Sequence, residues 1–308
     1  MRILVTGGAG FIASHVVDAY VKDGHEVVVL DNLSFGTREF VNPKARFYEV
    51  DIRNKKEIET IFKKEKPEIL NHHAAQISVR ESVADPLNDA QINILGFLNL
   101  LEAGRKNGLR KVIFASSGGV VYGEAEKFPT AENYLPLNPL SPYGVSKLTS
   151  EYYLKFYHKT YDIDYLALRY ANVYGPRQNP HGEAGVVAIF TLKLLKGETP
   201  IINGDGLQTR DYVYVGDVVE ANKEALISSG IGAFNIGTSR ETNVIEIFDN
   251  IKKLIGINIG ASHGPAKSGE QKRSCLDADL AQKALGWKAK VGLKDGLKKT
   301  VEYFQKLK

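Results

Sequence analysis

Arg2-Ile-Leu-Val-Thr6-Gly7-Gly8-Ala9-Gly10-Phe11-Ile12-Ala13, with Glu26-Val-Val-Val-Leu-Asp31 behind it, decides the fold. Residues 2–6 form a short apolar strand. Gly7 to Gly10 turn the chain, and Phe11 to Lys22 reads as a helix stopped by Gly24. The unbroken apolar run 26–31 reads as a strand buried on both faces. Together they make a βαβ unit of about 30 residues. Gly8-Ala-Gly10-Phe-Ile-Ala13 fits G-x-G-x-x-G/A, a turn that lets a pyrophosphate approach backbone N–H groups at a helix N-terminus. Asp31 closes the second strand. A carboxylate there accepts ribose hydroxyls and repels a 2′-phosphate, which selects NAD over NADP. Arg38, a few residues on, is the one nearby cation that argues the other way.

The alternation continues outward. Strands are expected at 46–50, 68–71, 111–116 and 164–169. Helices are expected at 55–64, 86–107 and 142–161. This pattern predicts an α/β fold with a doubly wound parallel sheet. After Asn172 the texture changes to a Gly/Pro-rich connection, 174–185, of the kind that carries function. Further helices are expected at 186–196, 217–228, 244–255, 277–285 and 293–307, with strands at 200–203 and 233–236. The expected division is a dinucleotide-binding domain over 1–170, rejoined by about 213–237, and a smaller α/β substrate-binding domain over 171–308 on the C-terminal side.

The chain has 308 residues, 43% hydrophobic and 25% charged, enough for a sizeable core. A net charge of +4 is too small and too dispersed to imply nucleic acid, and no apolar run reaches membrane-spanning length. A single cysteine, Cys275, excludes an internal disulfide, and no signal peptide is visible, so the expected location is the cytoplasm. The histidines show no metal-ligand spacing, so no metal is expected.

Chemistry concentrates in Ser141-Pro142-Tyr143-Gly144-Val145-Ser146-Lys147. Tyr143 and Lys147 are four residues apart on a helix and share a face. A phenol titrates near 10 and a neighbouring cation lowers that value, so the pair reads as an acid/base. Ser116 and Ser117 end the fifth strand, where a hydroxyl faces the same edge. His72-His73-Ala74-Ala75-Gln76 follows the fourth strand, and its alanines let a dinucleotide lie against the backbone. Asp51, after the third strand, either bonds an adenine amino group or caps the helix near Asn54.

These parts resemble the extended short-chain dehydrogenase/reductase family, of the nucleotide-sugar epimerase type with a Rossmann-like domain. The resemblance rests on Thr6–Ala13, Asp31-Asn32-Leu33-Ser34, His73–Gln76, Ser116-Ser117, Tyr143–Lys147, Arg169-Tyr170-Ala171-Asn172-Val-Tyr-Gly-Pro176 and Arg210-Asp-Tyr212. It implies Tyr143 as acid/base, Lys147 on the nicotinamide ribose, and Ser117 as the assisting hydroxyl, with Ser116 the alternative because this loop is one residue longer than the usual pattern. It places Gly7, Gly10, Phe11, Ile12, Asp31, Asn32, Ser34, Gly36, Asp51, Ile52, Ala74, Ala75, Gln76, Asn93 and Tyr170 around NAD. A UDP-sugar would meet Ser117, Tyr143, Asn172, Val187, Arg210, Lys267, Glu270, Arg273 and Ser274. The small Ser274 implies room for an N-acetyl group. The implied reaction is reversible 4-epimerisation of a UDP-hexose through a 4-keto sugar, and the implied assembly is a homodimer.

Three rivals stand beside this reading. A 4,6-dehydratase needs an acidic pair after the strand-five hydroxyl, where this chain has Gly118-Gly119. A UDP-glucuronate 4-epimerase needs donors for a carboxylate, which Ser78 and Arg80 could supply. A non-catalytic dinucleotide sensor would lack Tyr143 or Lys147.

Overall fold

The computed structural model describes residues 1–180, 185–266 and 271–307. The first part runs β1 (Arg2–Thr6), α1 (Phe11–Lys22), β2 (Glu26–Asp31), β3 (Arg46–Glu49), α2 (Lys55–Glu65), β4 (Ile69–His72), α3 (Val79–Ala84), α4 (Pro86–Ala90), α5 (Phe97–Lys106), β5 (Lys111–Ser117), α6 (Gly118–Val121), α7 (Pro142–Tyr161) and β6 (Asp164–Tyr170). The second runs β7 (Asn172–Tyr174), α8 (Val186–Leu195), β8 (Ile201–Asn203), β9 (Thr209–Arg210), β10 (Tyr212–Tyr214), α9 (Val215–Ile227), β11 (Gly232–Ile236), β12 (Thr242–Asn243), α10 (Val244–Ile255), β13 (Ser262–Gly264), α11 (Asp279–Leu285) and α12 (Leu293–Lys306).

Seven strands form one sheet in the order β11-β6-β5-β4-β1-β2-β3. Every pairing in it is parallel. The order reverses between β1 and β4, and the crevice outside the carboxyl ends of strands at such a point is where ligands bind. The period of two along each strand fills two apolar layers. Ile3, Val5, Val27 and Val29 face α1 and α9, with Val16, Val17 and Val218. Leu4, Val28 and Leu30 face α2, α5 and α7, with Phe62, Phe97 and Leu154. A third apolar cluster joins α8, α10 and α12 through Phe190, Phe248 and Leu297.

The single helix expected over 86–107 is instead α4, a π turn at Gln91–Gly96 and α5. The extra backbone turn brings Asn93 inward to 4% exposure, and Gly96 sits so close to Ile52 that a Cβ there would lie 2.7 Å from its side chain. Such turns often mark functional sites. Helix α7 begins as expected, with Pro142 in its first turn and the Ser141 hydroxyl accepting from Gly144 N at 3.1 Å. Strand β8 lies where the expected strand 200–203 stands, whereas β7, β9, β10, β12 and β13, which complete the pairs β7–β10, β9–β12 and β8–β13, are too short to show periodicity in the sequence.

Gly296 on α12 faces the buried Tyr174 ring, and an added Cβ would lie 2.1 Å from its Oη. The Tyr174 ring is 1% exposed and has no room to yield. Gly296→Ala gains about 1 kcal/mol of helix propensity. Overpacking costs about 1–3 kcal/mol and prevails. A urea midpoint below that of the parent chain is the expected result.

Candidate active site

Gly7 has φ +69° and a Cβ on it would lie 2.8 Å from Ala74 N, so the turn after β1 is pressed against the segment after β4. Gly10 is the N-cap of α1, with no side-chain cap and no acid in the first turn. Its N–H groups therefore face the crevice with the partial positive charge of the helix end. Asp31, 8% exposed, stands beside this turn, its oxygens accepting from Ala9 N at 3.0 Å and Leu33 N at 2.8 Å. Burial pushes its carboxyl up, and the two N–H groups oppose that shift.

The loop after β2 folds back over the turn. Thr37 N donates to Ala9 O, and a Cβ on Gly36 would lie 2.8 Å from Ala9 Cβ. Asn32 accepts from Ser34 N and Oγ and donates to Asp51 at 3.0 Å. Arg38 lies over the Phe47 ring at 3.9 Å. Arg53 grips Asp51 through its backbone N–H and guanidinium, and holds that carboxyl near 2. Asp51 does not cap α2; the Asn54 side chain does. The side chain of Ile52 is 5% exposed inside the apolar layer, so only its backbone is available to a ligand.

His72 and His73 diverge. His72 ends β4, bonds Thr6 Oγ1 at 2.7 Å and stacks on Phe97. His73 stacks on Tyr170, whose hydroxyl lies 3.2 Å from His73 Nε2 and accepts from Asn222 at 2.8 Å. Ala74 and Ala75 are half-buried. Gln76 and Asn93, expected to touch the cofactor, engage their side chains within the protein, Gln76 with Ser78 and Asp89 and Asn93 with the Gln76 backbone. Asn93 bridges Gln76 N and O at 2.9 Å each, so both residues shape the crevice wall.

Tyr143 and Lys147 meet at the carboxyl ends of β4 to β6. The Lys147 ammonium lies 5.6 Å from the Tyr143 ring centre and donates to Ala115 O at 2.8 Å. Burial lowers its pKa to about 8, against the pull of Asp89 and Glu151. The Tyr143 phenol is raised instead of lowered, by burial first and the Asp89 charge second. The expected depression is absent because burial and a nearby negative charge both favour the neutral phenol. The two serines of β5 point opposite ways. Ser116, 3% exposed, donates to Glu151 at 2.6 Å within the buried Glu151–Arg169 pair. Ser117 is half-buried, and its hydroxyl makes no hydrogen bond among the described residues.

Across the crevice, Asn172 opens β7 and its N–H donates to Asp211 O at 2.8 Å. Arg210 is half-buried on β9. Between them Asp211, 1% exposed, accepts from Thr238, Ser239 and Leu276 and fixes the surrounding strands. Val187, expected to frame a ligand base, turns its side chain into the third apolar cluster at 1% exposure. Arg273 pairs with Glu241 at 2.6 Å and stacks over Phe128. Ser274 is 5% exposed, with its N–H on Thr209 O. Lys267 and Glu270 lie outside the described residues. Ser78 is engaged as the cap of α3.

Residues 3–237 match the NAD dependent epimerase/dehydratase family. The chain belongs to that family. Among relatives, the UDP-glucose 4-epimerase of Mycolicibacterium smegmatis is 47% identical over 99% of both chains. The crystal structure of a UDP-glucose 4-epimerase from Thermotoga maritima with UDP-glucose is 51% identical, superposes with a TM-score of 0.98 and covers 100% of this chain and 99% of that one. The Thermus thermophilus UDP-glucose 4-epimerase complex with NAD is 45% identical, with a TM-score of 0.94 and 99% of each chain covered. NAD, the cofactor named for the family, fits the groups present here. The uncapped helix start suits a diphosphate, and Asp31, held as an acceptor beside it, suits a ribose without a 2′-phosphate.

Two carboxylates with structural parts in this epimerase-family site, Asp89 and Glu151, escaped the sequence reading. Each sits one helical turn from a residue that was recognised, Asn93 and Lys147, and that i, i+4 spacing was the available signal.

Proposed function

We propose that this chain catalyses reversible 4-epimerisation of a UDP-hexose, interconverting UDP-glucose and UDP-galactose, with NAD as its resident cofactor. The carrying observation is at Gly118, the first residue of α6. A Cβ there would lie 2.4 Å from the side chain of Leu276, itself 1% exposed, so the glycine is tied to buried packing and neither it nor Gly119 supplies an acid after the strand-five hydroxyl. Water elimination lacks its proton donor, while the Tyr143, Lys147 and Ser117 set for reversible oxidation at one carbon is intact. Its likeness to two UDP-glucose 4-epimerases over the whole chain supports the same reading.

Bound NAD supplies the acceptor, and later the donor, of the C4 hydride. Ser117 orients the sugar 4-hydroxyl and Tyr143 Oη takes its proton. Lys147, fixed by Ala115 O, keeps a positive charge beside the phenolate. Asn172 and Arg210 hold the diphosphate, a guanidinium fork being suited to it. The sugar turns about that anchor, and Tyr143 returns the proton on the other face.

Ser274, small and next to Arg273, is inferred to leave space beside the sugar 2-substituent, so the N-acetylated pair is also turned over. Separate incubations with UDP-galactose, UDP-N-acetylgalactosamine and UDP-glucuronate, with chromatography of the products, test both statements. Conversion of the first two and not the third is expected, and Ser274→Tyr should abolish only the second. Conversion of UDP-glucuronate alone would overturn the reading. The protein is further inferred to work in the cytoplasm as a homodimer. Leu87, Leu95, Val145, Tyr152 and Phe156 leave α4, α7 and the π turn with an exposed apolar face.

A further inference from the structure

Asp89 on α4 is 1% exposed and makes no ion pair among the described residues. Asn93 accepts from Gln76 N and donates to Gln76 O, and those backbone groups fix which end of its amide is which. The Asn93 NH₂ therefore donates to Asp89 Oδ1 at 2.9 Å. Gln76 is fixed in the same way by Ser78 N and O, and its NH₂ also donates to Asp89 Oδ1, at 3.2 Å. The Ser146 hydroxyl, between Tyr143 and Lys147 on α7, donates to Asp89 Oδ2 at 2.6 Å. Two amide N–H donors on Oδ1 and a hydroxyl on Oδ2 suit a carboxylate, and the Ser146 bond sets Asp89 against the turn of α7 that carries Tyr143 and Lys147.

We propose that Asp89 is an electrostatic positioning residue for the reaction: its buried negative charge holds Lys147 as ammonium and Tyr143 as phenol, so that the base forms only in the loaded cleft. This rests on Tyr143 being the acid/base. A negative charge raises the pKa of each group, and Asp89 acts in that sense on both. The other groups facing Lys147 do not replace it. Glu151, on α7 itself, also favours the ammonium, but its carboxylate is gripped by Arg169. His72 and His73, from β4, are held neutral, His73 near 3, by burial and then by Lys147. For Tyr143, Asp89 is the charged group that acts alongside burial.

Asp89→Asn separates charge from scaffold. The new Oδ1 accepts from both amides as before, its NH₂ donates to Ser146 Oγ, and only the charge is lost. In the NAD-loaded enzyme the acid limb of the kcat–pH profile is expected to move down by about one unit, the lower end for one nearby charge. That is about fivefold faster turnover at a pH one unit below the parent limb, approaching tenfold at lower pH. Ser146→Ala, which keeps the charge and loses one hydrogen bond, should leave the limb in place. If Asp89→Asn does not fold, Asp89→Ser is neutral and smaller and must give the same shift. An unmoved limb in the neutral variant overturns the proposal, as does failure of both neutral variants to fold, since the carboxylate would then serve the scaffold. Activity surviving in Tyr143→Phe would instead overturn the acid/base assignment.

Discussion

Tyr143→Phe is expected to lower kcat for UDP-galactose by about 10²- to 10⁴-fold, the usual contribution of one positioned acid/base. The ring remains and only the hydroxyl is lost, so the packing of α7 on the sheet is unchanged. Affinity for the UDP-sugar should change little, because the groups inferred to hold the diphosphate, Asn172 and Arg210, lie on β7 and β9. A large fall in kcat with NAD still bound, measured by a coupled assay and by nucleotide content, would bear out the assignment. A variant that kept more than about a tenth of the parent turnover would require a different proton acceptor.

Glu151→Ala is expected to have the largest effect on stability. The side chains of Glu151 and Arg169 are 9% and 5% exposed, and they meet through two contacts, of 3.0 and 2.6 Å. Removing one partner leaves an uncompensated buried guanidinium, a loss of about 3–5 kcal/mol. That is a large fraction of the ~5–15 kcal/mol that holds a typical domain together. Urea denaturation should show it directly. The double variant Glu151→Leu/Arg169→Met should be more stable than Glu151→Ala, because an apolar pair of similar size leaves no stranded charge. A midpoint for Glu151→Ala close to that of the parent would mean that water or a rearranged Tyr122 satisfies Arg169.

Helix α1 and strands β1 and β2 have the bounds their periodicity predicted, because local pattern and burial agree there. Strand β11 was anticipated as a strand returning to the sheet; its place beside β6 is a long-range fact that no window of sequence contains. The helix over 86–107 was read without its π turn, since hydrophobic spacing does not register one extra residue that swings Asn93 inward. Two serines in a row could not be told apart by motif counting. Strand alternation separates them, and Ser116 is committed to Glu151. The direction of the Tyr143 shift was misjudged because a sequence names the neighbouring charge and not the depth of burial. Val187 and Arg273 were placed by analogy, yet the first faces the apolar cluster and the second faces Glu241.

The first 170 residues supply six strands, and the seventh arrives only after the chain has built β7 to β10 and α9. A fragment ending at Tyr170 would leave β6 with an unpaired row of N–H and C=O groups and the apolar underside that α9 covers. Such an edge invites pairing with other chains. A ribosome that has released only this portion therefore holds an unfinished and adhesive sheet. The first 170 residues therefore cannot be harvested as an independent module by truncation, and even the stretch up to β11 leans on α11 and Trp287, which close the same apolar layer.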